Sequence, residues 1–269
     1  MNDKRLRADE LLVARGLATT RSQARAIILS GSVRSGSRVI DKAGHALASD
    51  AELTVIQSPR FASRGGEKLE HAIEAFGIDL SSLFCADFGA STGGFTDVLL
   101  QHGAAHVYAV DVGYGQLAYR LRIDDRVSVL DRTNVRYLEA LPEPVDLVTI
   151  DVSFISLALV LPAAKRILKP DGSCVALIKP QFEAGKELVG KGGVVRDPRV
   201  HRDVLRQVLQ AAGEIGFRIG GLTMSPIIGP AGNVEFLVLL HLGAGKSVDS
   251  AMVIDAAIQN ERNRANDAR

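Results

Sequence analysis

The sequence predicts two unequal units: a small α+β unit at the front and, behind it, an α/β unit wound on a mostly parallel seven-stranded sheet. Three observations carry this. Basic residues gather at the front, periodicity switches repeatedly between strand and helix from residue 66 onward, and four successive body strands end in a charged residue. A length of 269 residues suits two unequal domains, and the expected division is 1–59, a linker at 60–66, a body at 67–242 and a polar tail or peripheral helix at 243–269.

Composition narrows the class. With 46% hydrophobic and 23% charged residues, the chain is neither disordered nor fibrous. No apolar run approaches the roughly 18–20 residues of a membrane helix. The first ten residues, MNDKRLRADE, contain no apolar stretch of a secretory signal. Cys85 and Cys174 are far apart and form no CxxC pair, so they read as buried free thiols in a reducing, cytoplasmic compartment. Neither a disulfide framework nor a metal site is expected.

Residues 1–60 hold ten Lys/Arg against six Asp/Glu, a net +4, which leaves −3 for the rest of a chain whose total is +1. Such a front end suits a polyanion. Residues 9–16 read as a short helix stopped by Gly16, and residues 20–31 as a second, N-capped by Thr20, with an apolar stripe at Ala24, Ile27 and Ile28. Arg21 and Arg25, at i and i+4, share a face. Strand-like pieces follow at 32–34, 38–40 and 52–56, separated by Gly36 and Gly44. The run Arg5-Leu6-Arg7, Leu11-Leu12, Arg15-Gly16-Leu17, Arg21-Ser22-Gln23-Ala24-Arg25, Gly31-Ser32-Val33-Arg34 resembles the S-four-type RNA-binding domain. That resemblance implies RNA contacts from Arg5, Arg7, Arg15, Arg21, Arg25 and Arg34. The family's usual Arg-Leu-Asp opening is Arg5-Leu6-Arg7 here, with the acid displaced to Asp9.

In the body, helices are expected at 67–76, 93–102, 156–168 and 198–215. Strands are expected at 84–88, 106–111, 127–131, 146–151, 173–179, 217–223 and 234–242. Continuous apolar strands alternating with helices argue a parallel sheet covered on both faces, and the crowded last pair an antiparallel edge. Asp111, Asp131, Asp151 and Lys179 end four of the strands, where a doubly wound sheet lines its ligand crevice.

The loop Gly89-Ala90-Ser91-Thr92-Gly93-Gly94-Phe95 follows the first body strand and opens a helix, a place suited to close backbone approach and to negative charge. Asp111 ends the next strand, where an acid grips ribose hydroxyls in nucleotide-binding folds. A dinucleotide cofactor stays open on these grounds. The spacing, Gly-x-x-x-Gly-Gly, better resembles the S-adenosylmethionine loop of Rossmann-like class I methyltransferases, which would set Asp131, Arg132, Thr133 and Asn134 beside the adenine.

Lys68, Asp151, Lys179 and Glu235 remain as ionisable residues in apolar settings, Glu235 inside an otherwise apolar last strand. They resemble the Lys-Asp-Lys-Glu tetrad of FtsJ-type ribose 2′-O-methyltransferases. Together with Ser63-Arg64-Gly65-Gly66-Glu67-Lys68-Leu69, Asp111-Val112-Gly113-Tyr114-Gly115, Asp151-Val152-Ser153-Phe154, Lys179-Pro180-Gln181-Phe182 and Gly190-Lys191-Gly192-Gly193, they resemble the TlyA, or hemolysin-A-like, ribosomal RNA methyltransferases. The resemblance implies methylation of a cytidine ribose 2′-OH, with ribosomal RNA or its subunits as partner. In it Lys179 is the base or 2′-OH-polarising group, Lys68 a second cation, Asp151 lies near the sulfonium and Glu235 orients. In the linker, Phe61-Ala62 replaces the family's aromatic-valine pair.

Three readings compete. A non-catalytic ribosome-assembly factor would share the front unit but not need the tetrad. A cytolysin is suggested only by the family's older name. A pseudouridine synthase carries the same front unit but needs a catalytic aspartate in a different β-fold.

Overall fold

The computed structural model describes residues 5–29, 31–55 and 60–267. Contacts divide the chain into one unit ending at Arg60 and another beginning at Phe61.

The front unit holds β1 (Arg5–Arg7), α1 (Ala8–Ala14), α2 (Arg21–Leu29), β2 (Val33–Ser35), β3 (Arg38–Val39), β4 (Ala46–Ala48) and β5 (Thr54–Val55). Ala8, Leu11, Leu12, Ala24 and Ile28 of the two helices bury against Val33, Ile40 and Leu47. Thr20 caps α2 as expected, its Oγ1 accepting from the Gln23 N–H at 3.1 Å. The antiparallel pair β1–β4 was not anticipated. Each of these strands has three residues and at most one buried side chain, too little alternation to read. Ile56, the end of the expected last strand, and residues 57–59 lie outside the described residues.

The body holds α3 (Gly65–Phe76), β6 (Phe84–Phe88), α4 (Gly94–Gln101), β7 (His106–Val110), α5 (Tyr119–Arg122), β8 (Val127–Leu130), β9 (Val145–Ile150), α6 (Leu161–Ile167), β10 (Leu168–Ile178), α7 (Pro180–Glu183), α8 (Pro198–Ile215), β11 (Arg218–Met224), β12 (Phe236–His241) and α9 (Ser250–Asp267). The sheet order is β11-β12-β10-β9-β6-β7-β8. β10, β9, β6, β7 and β8 are parallel; β12 runs antiparallel to both neighbours. The chain leaves β6 toward β7 and β8, then returns to its other side as β9. The β6/β9 boundary is therefore the switch point where such sheets open a crevice.

Strand alternation makes two cores. Cys85, Val107, Leu147 and Val175 face α3 and α4, while Ala86, Tyr108, Val148 and Cys174 face α6 and α8. α8 ends at Gly216, whose φ is +103°.

Two expectations change, and the choice between tail and helix left open for 243–269 is decided. Residues 61–66 are not a spacer: Phe61 is buried in the body core and α3 begins at Gly65. Residues 250–267 form a packed helix, with Ile254, Ala257 and Ile258 buried. Glu235 stands just before β12 rather than inside it. Among the described residues no helix is long and apolar enough to cross a membrane.

Candidate cofactor and catalytic site

The glycine loop turns directly over the switch point. Gly89 has φ +85°, and a Cβ there would lie 2.6 Å from the Asp151 carbonyl, so only glycine fits. Gly93, at φ +96°, closes on Leu117 and Leu121 in the same way. Under the loop, fully buried Asp87 accepts from Thr96 N–H at 2.9 Å, Thr96 Oγ1 at 2.7 Å and Thr149 Oγ1 at 3.1 Å. Burial pushes this carboxyl up to about 6 despite those hydrogen bonds.

Asp111, just past β7, accepts from Ser91 N–H at 2.8 Å and Gly113 N–H at 2.7 Å. It stands in the wall of a 530 Å³ cavity with Gly89, Val110, Val112, Gln116, Val135, Val152 and Ile155. An apolar slot with one fixed carboxylate suits a nucleoside: the walls take a base, and the acid retains lone pairs for ribose hydroxyls. The slot therefore fits the nucleoside end of S-adenosylmethionine. The post-β8 residues that line it are Thr133, Asn134, Val135 and Arg136. Asp131 and Arg132 do not: Asp131 pairs with Arg122 at 2.8 Å, and Arg132 lies over the Tyr114 ring at 4.4 Å. In the loop, Ser91 and Thr92 face a second cavity, whereas Phe95 packs into the core.

That second cavity, of 620 Å³, adjoins the first through the shared residues Ser153 and Phe154. All four tetrad residues line it. Lys68 Nζ donates to Glu235 Oε2 at 2.5 Å, and both side chains are buried. Lys179 Nζ lies 2.6 Å from Asp151 Oδ1, off the hydrogen-bonding direction, and donates to Ser153 Oγ at 3.0 Å. The arrangement is thus two ion pairs facing one cavity, each lysine with its own carboxylate.

Several lining residues were not among the expected site residues, although Ser63-Arg64-Gly65 and Phe154 lie in motifs that carry the resemblance. Ser63, Arg64 and Gly65 form part of the wall, although Pro59 and the glycine pair suggested a linker. Asn233 is buried; its Oδ1 accepts from Val195 N–H at 2.9 Å and its Nδ2 donates to Gly193 O at 2.9 Å. Phe154 holds φ +64° with its side chain 89% exposed, its ring 4.9 Å from that of Phe182. A bulky aromatic in that backbone region is strained. A polar residue directly after Gly232 and two before Glu235, or an aromatic three residues after Asp151, was the available signal.

In the front unit all six expected arginines are exposed. Three converge on one acid: Asp9 Oδ1 and Oδ2 receive Arg7 at 3.0 and 3.1 Å, and Oδ2 also receives Arg25 at 3.2 Å and Arg21 at 3.3 Å. These bonds, Arg7's first, hold the buried Asp9 carboxyl well below the usual range. The displaced acid is the anchor that fixes the arginine face. Arg15 donates to Ser49 O at 2.8 Å.

Comparison with known proteins places these features together. The FtsJ-like methyltransferase family model matches residues 61–242, and the S4 domain model matches residues 6–53. The chain is 50% identical over 248 residues to YqxC of Bacillus subtilis, provisionally named an rRNA methyltransferase, covering 90% of this chain and 87% of that one. It is 48% identical over 257 residues to the 16S/23S rRNA (cytidine-2′-O)-methyltransferase TlyA of Mycobacterium tuberculosis, covering 94% and 96%. A solved structure from Streptococcus thermophilus, provisionally labelled a hemolysin, matches with a TM-score of 0.75 at 41% identity, covering 99% of this chain and 100% of that one.

Proposed function

The chain belongs to the FtsJ-like methyltransferase family, and on that premise we propose that it methylates the 2′-hydroxyl of a cytidine ribose in ribosomal RNA. It is an S-adenosylmethionine-dependent enzyme, which decides between the two nucleotide cofactors that the glycine loop left open. The observation that carries the reading is the pair of salt-bridged lysines, Lys68–Glu235 and Lys179–Asp151, facing one cavity beside a nucleoside-sized slot.

S-adenosylmethionine supplies a methyl group activated on a sulfonium. Asp111 holds the cofactor's ribose, and the valines around it exclude water from the base. The target 2′-OH is a weak nucleophile that must lose its proton as it attacks. Lys179 Nζ, held 2.6 Å from Asp151, faces the cavity where the 2′-oxygen would lie, so it polarises that hydroxyl and stabilises the charge growing there. The hydroxyl proton leaves to water in the cavity as the methyl group is taken up. Lys68, fixed by Glu235, adds a second positive charge to the cavity. The exposed Phe154 face is suited to stack the target base.

Other nucleophiles fit poorly. Base-carbon methylation commonly uses a reactive cysteine, but Cys85 and Cys174 are fully buried, burial pushes both thiols up, and neither lines a site cavity. The loop after β9, Asp151-Val152-Ser153-Phe154, also lacks the prolines of amino-nitrogen methyltransferases. The six front-unit arginines would hold RNA phosphates, and the enzyme would work on ribosomal subunits in the cytoplasm.

The test is incubation of the protein with methyl-labelled S-adenosylmethionine and ribosomal RNA from a strain lacking the enzyme, followed by nucleoside analysis. Label in 2′-O-methylcytidine is expected. Label in a base-methylated nucleoside, or none, overturns the proposal.

A further inference from the structure

The buried stripe of α9 runs Ile254, Ala257, Ile258 and then Glu261, so a carboxylate occupies the next core-facing turn of the helix. The buried stripe of α8 likewise opens on His201, ahead of Val204, Leu205 and Val208. The two meet: His201 Nδ1 lies 2.8 Å from Glu261 Oε1, and His201 Nε2 lies 3.1 Å from the Val195 carbonyl. His201 is 1% exposed, and the second Glu261 oxygen is buried with no partner of its own.

A proton inventory follows from the partners. A carbonyl can only accept, so Nε2 must carry hydrogen. Nδ1 faces a carboxyl oxygen, so a proton must lie between them, whether it resides on the imidazole or on Glu261.

Val195 ends the glycine loop 190–195. Gly192 and Gly193 line the catalytic cavity, and Gly190 and Gly193 line an adjoining 510 Å³ cavity with Phe154, Gln181 and Phe182. Asn233, two residues from Glu235, also holds the loop. We propose that His201 and Glu261 are positioning residues that pin this glycine loop, through Val195, to the C-terminal helix and so shape the RNA side of the catalytic cavity. The cofactor slot is not touched by this clamp.

The experiment uses the full chain and compares Glu261→Ala with Glu261→Gln. A glutamine can donate its amide N–H to Nδ1 of a neutral His201 that keeps its Nε2–H on Val195, so both bonds survive. Glu261→Ala should raise amide exchange at 190–195 about tenfold and raise the KM for RNA about tenfold, with S-adenosylmethionine affinity unchanged. Glu261→Gln should restore exchange and KM to wild-type values. Wild-type exchange and KM in Glu261→Ala overturn the proposal, as does faster loop exchange in Glu261→Gln, which decides the matter even if the alanine variant fails to fold. The KM arm rests on the function proposed above: if the wild type transfers no methyl to ribosomal RNA, that reading fails, while the exchange arm still tests the clamp.

Discussion

Glu235→Ala leaves the Lys68 ammonium, 7% exposed, without the carboxylate that now sits 2.5 Å away. Removing one partner of a buried pair costs about 3–5 kcal/mol, because the remaining charge is left largely desolvated without its own counter-ion. Replacing both partners by apolar residues of similar size removes that penalty, so the Lys68→Met/Glu235→Leu double variant should lie within about 1 kcal/mol of wild type. A cycle closed with the Lys68→Met and Glu235→Leu single variants then shows a coupling of at least about 2 kcal/mol. The assay is urea unfolding followed by circular dichroism, since the chain contains no tryptophan. Midpoints are compared at constant slope. Methyl transfer should remain lost in the double variant although the fold is restored, which would separate the pair's chemical role from its structural one. Single variants whose losses simply add in the double, or a Glu235→Ala cost below about 1 kcal/mol, would refute the reasoning.

Three further outcomes are expected. Asp111→Ala should weaken S-adenosylmethionine binding by about 1.5–3 kcal/mol in calorimetric titration, and unchanged affinity would remove Asp111 from the slot. Asp87, raised from 3.8 to about 6, keeps a proton in the folded state that the unfolded chain has released, so its contribution to stability falls as pH rises from about 4 to about 6 and is level above. Relative to Asp87→Asn, wild-type stability should drop by about 2–3 kcal/mol across that window, and parallel pH profiles would contradict this. Arg34→Ala should flatten the salt dependence of RNA binding by about 0.7 per lost phosphate contact without lowering stability, whereas Arg7→Ala should lower both because it strips a cation from buried Asp9. An unchanged salt slope in Arg34→Ala would take that residue off the RNA.

The sheet was legible because its strands are continuous apolar runs between glycines, and α8 because eighteen residues keep one apolar face. The tetrad was legible because buried charge is rare and needs a partner. The pairing was not: Lys68 and Glu235 are 167 residues apart, and nothing local says which lysine takes which acid. Residues 61–66 misled for the same reason. Pro59 and Gly65-Gly66 are strong local breakers, but what makes the segment a wall of the site is the packing of Phe61 and the Ala62 N–H on Asp97 Oδ2 at 2.7 Å, both long-range. The resemblance of the glycine loop implied Asp131 beside the adenine; Arg122, nine residues earlier, pairs with it instead. In α9 the polar surface dominates the composition, so the short stripe Ile254, Ala257, Ile258 was too weak to separate a docked helix from a loose tail.

The central claim is that the nucleophile is a ribose oxygen placed before Lys179. Its most direct test is methyl transfer to two otherwise identical ribosomal RNA substrates, one with cytidine and one with a single 2′-deoxycytidine at the methylated position. The 2′-deoxy substrate should bind with similar affinity and accept no methyl group. Methyl transfer to it at a rate near that of the ribose substrate would contradict the account and the role given to Lys179.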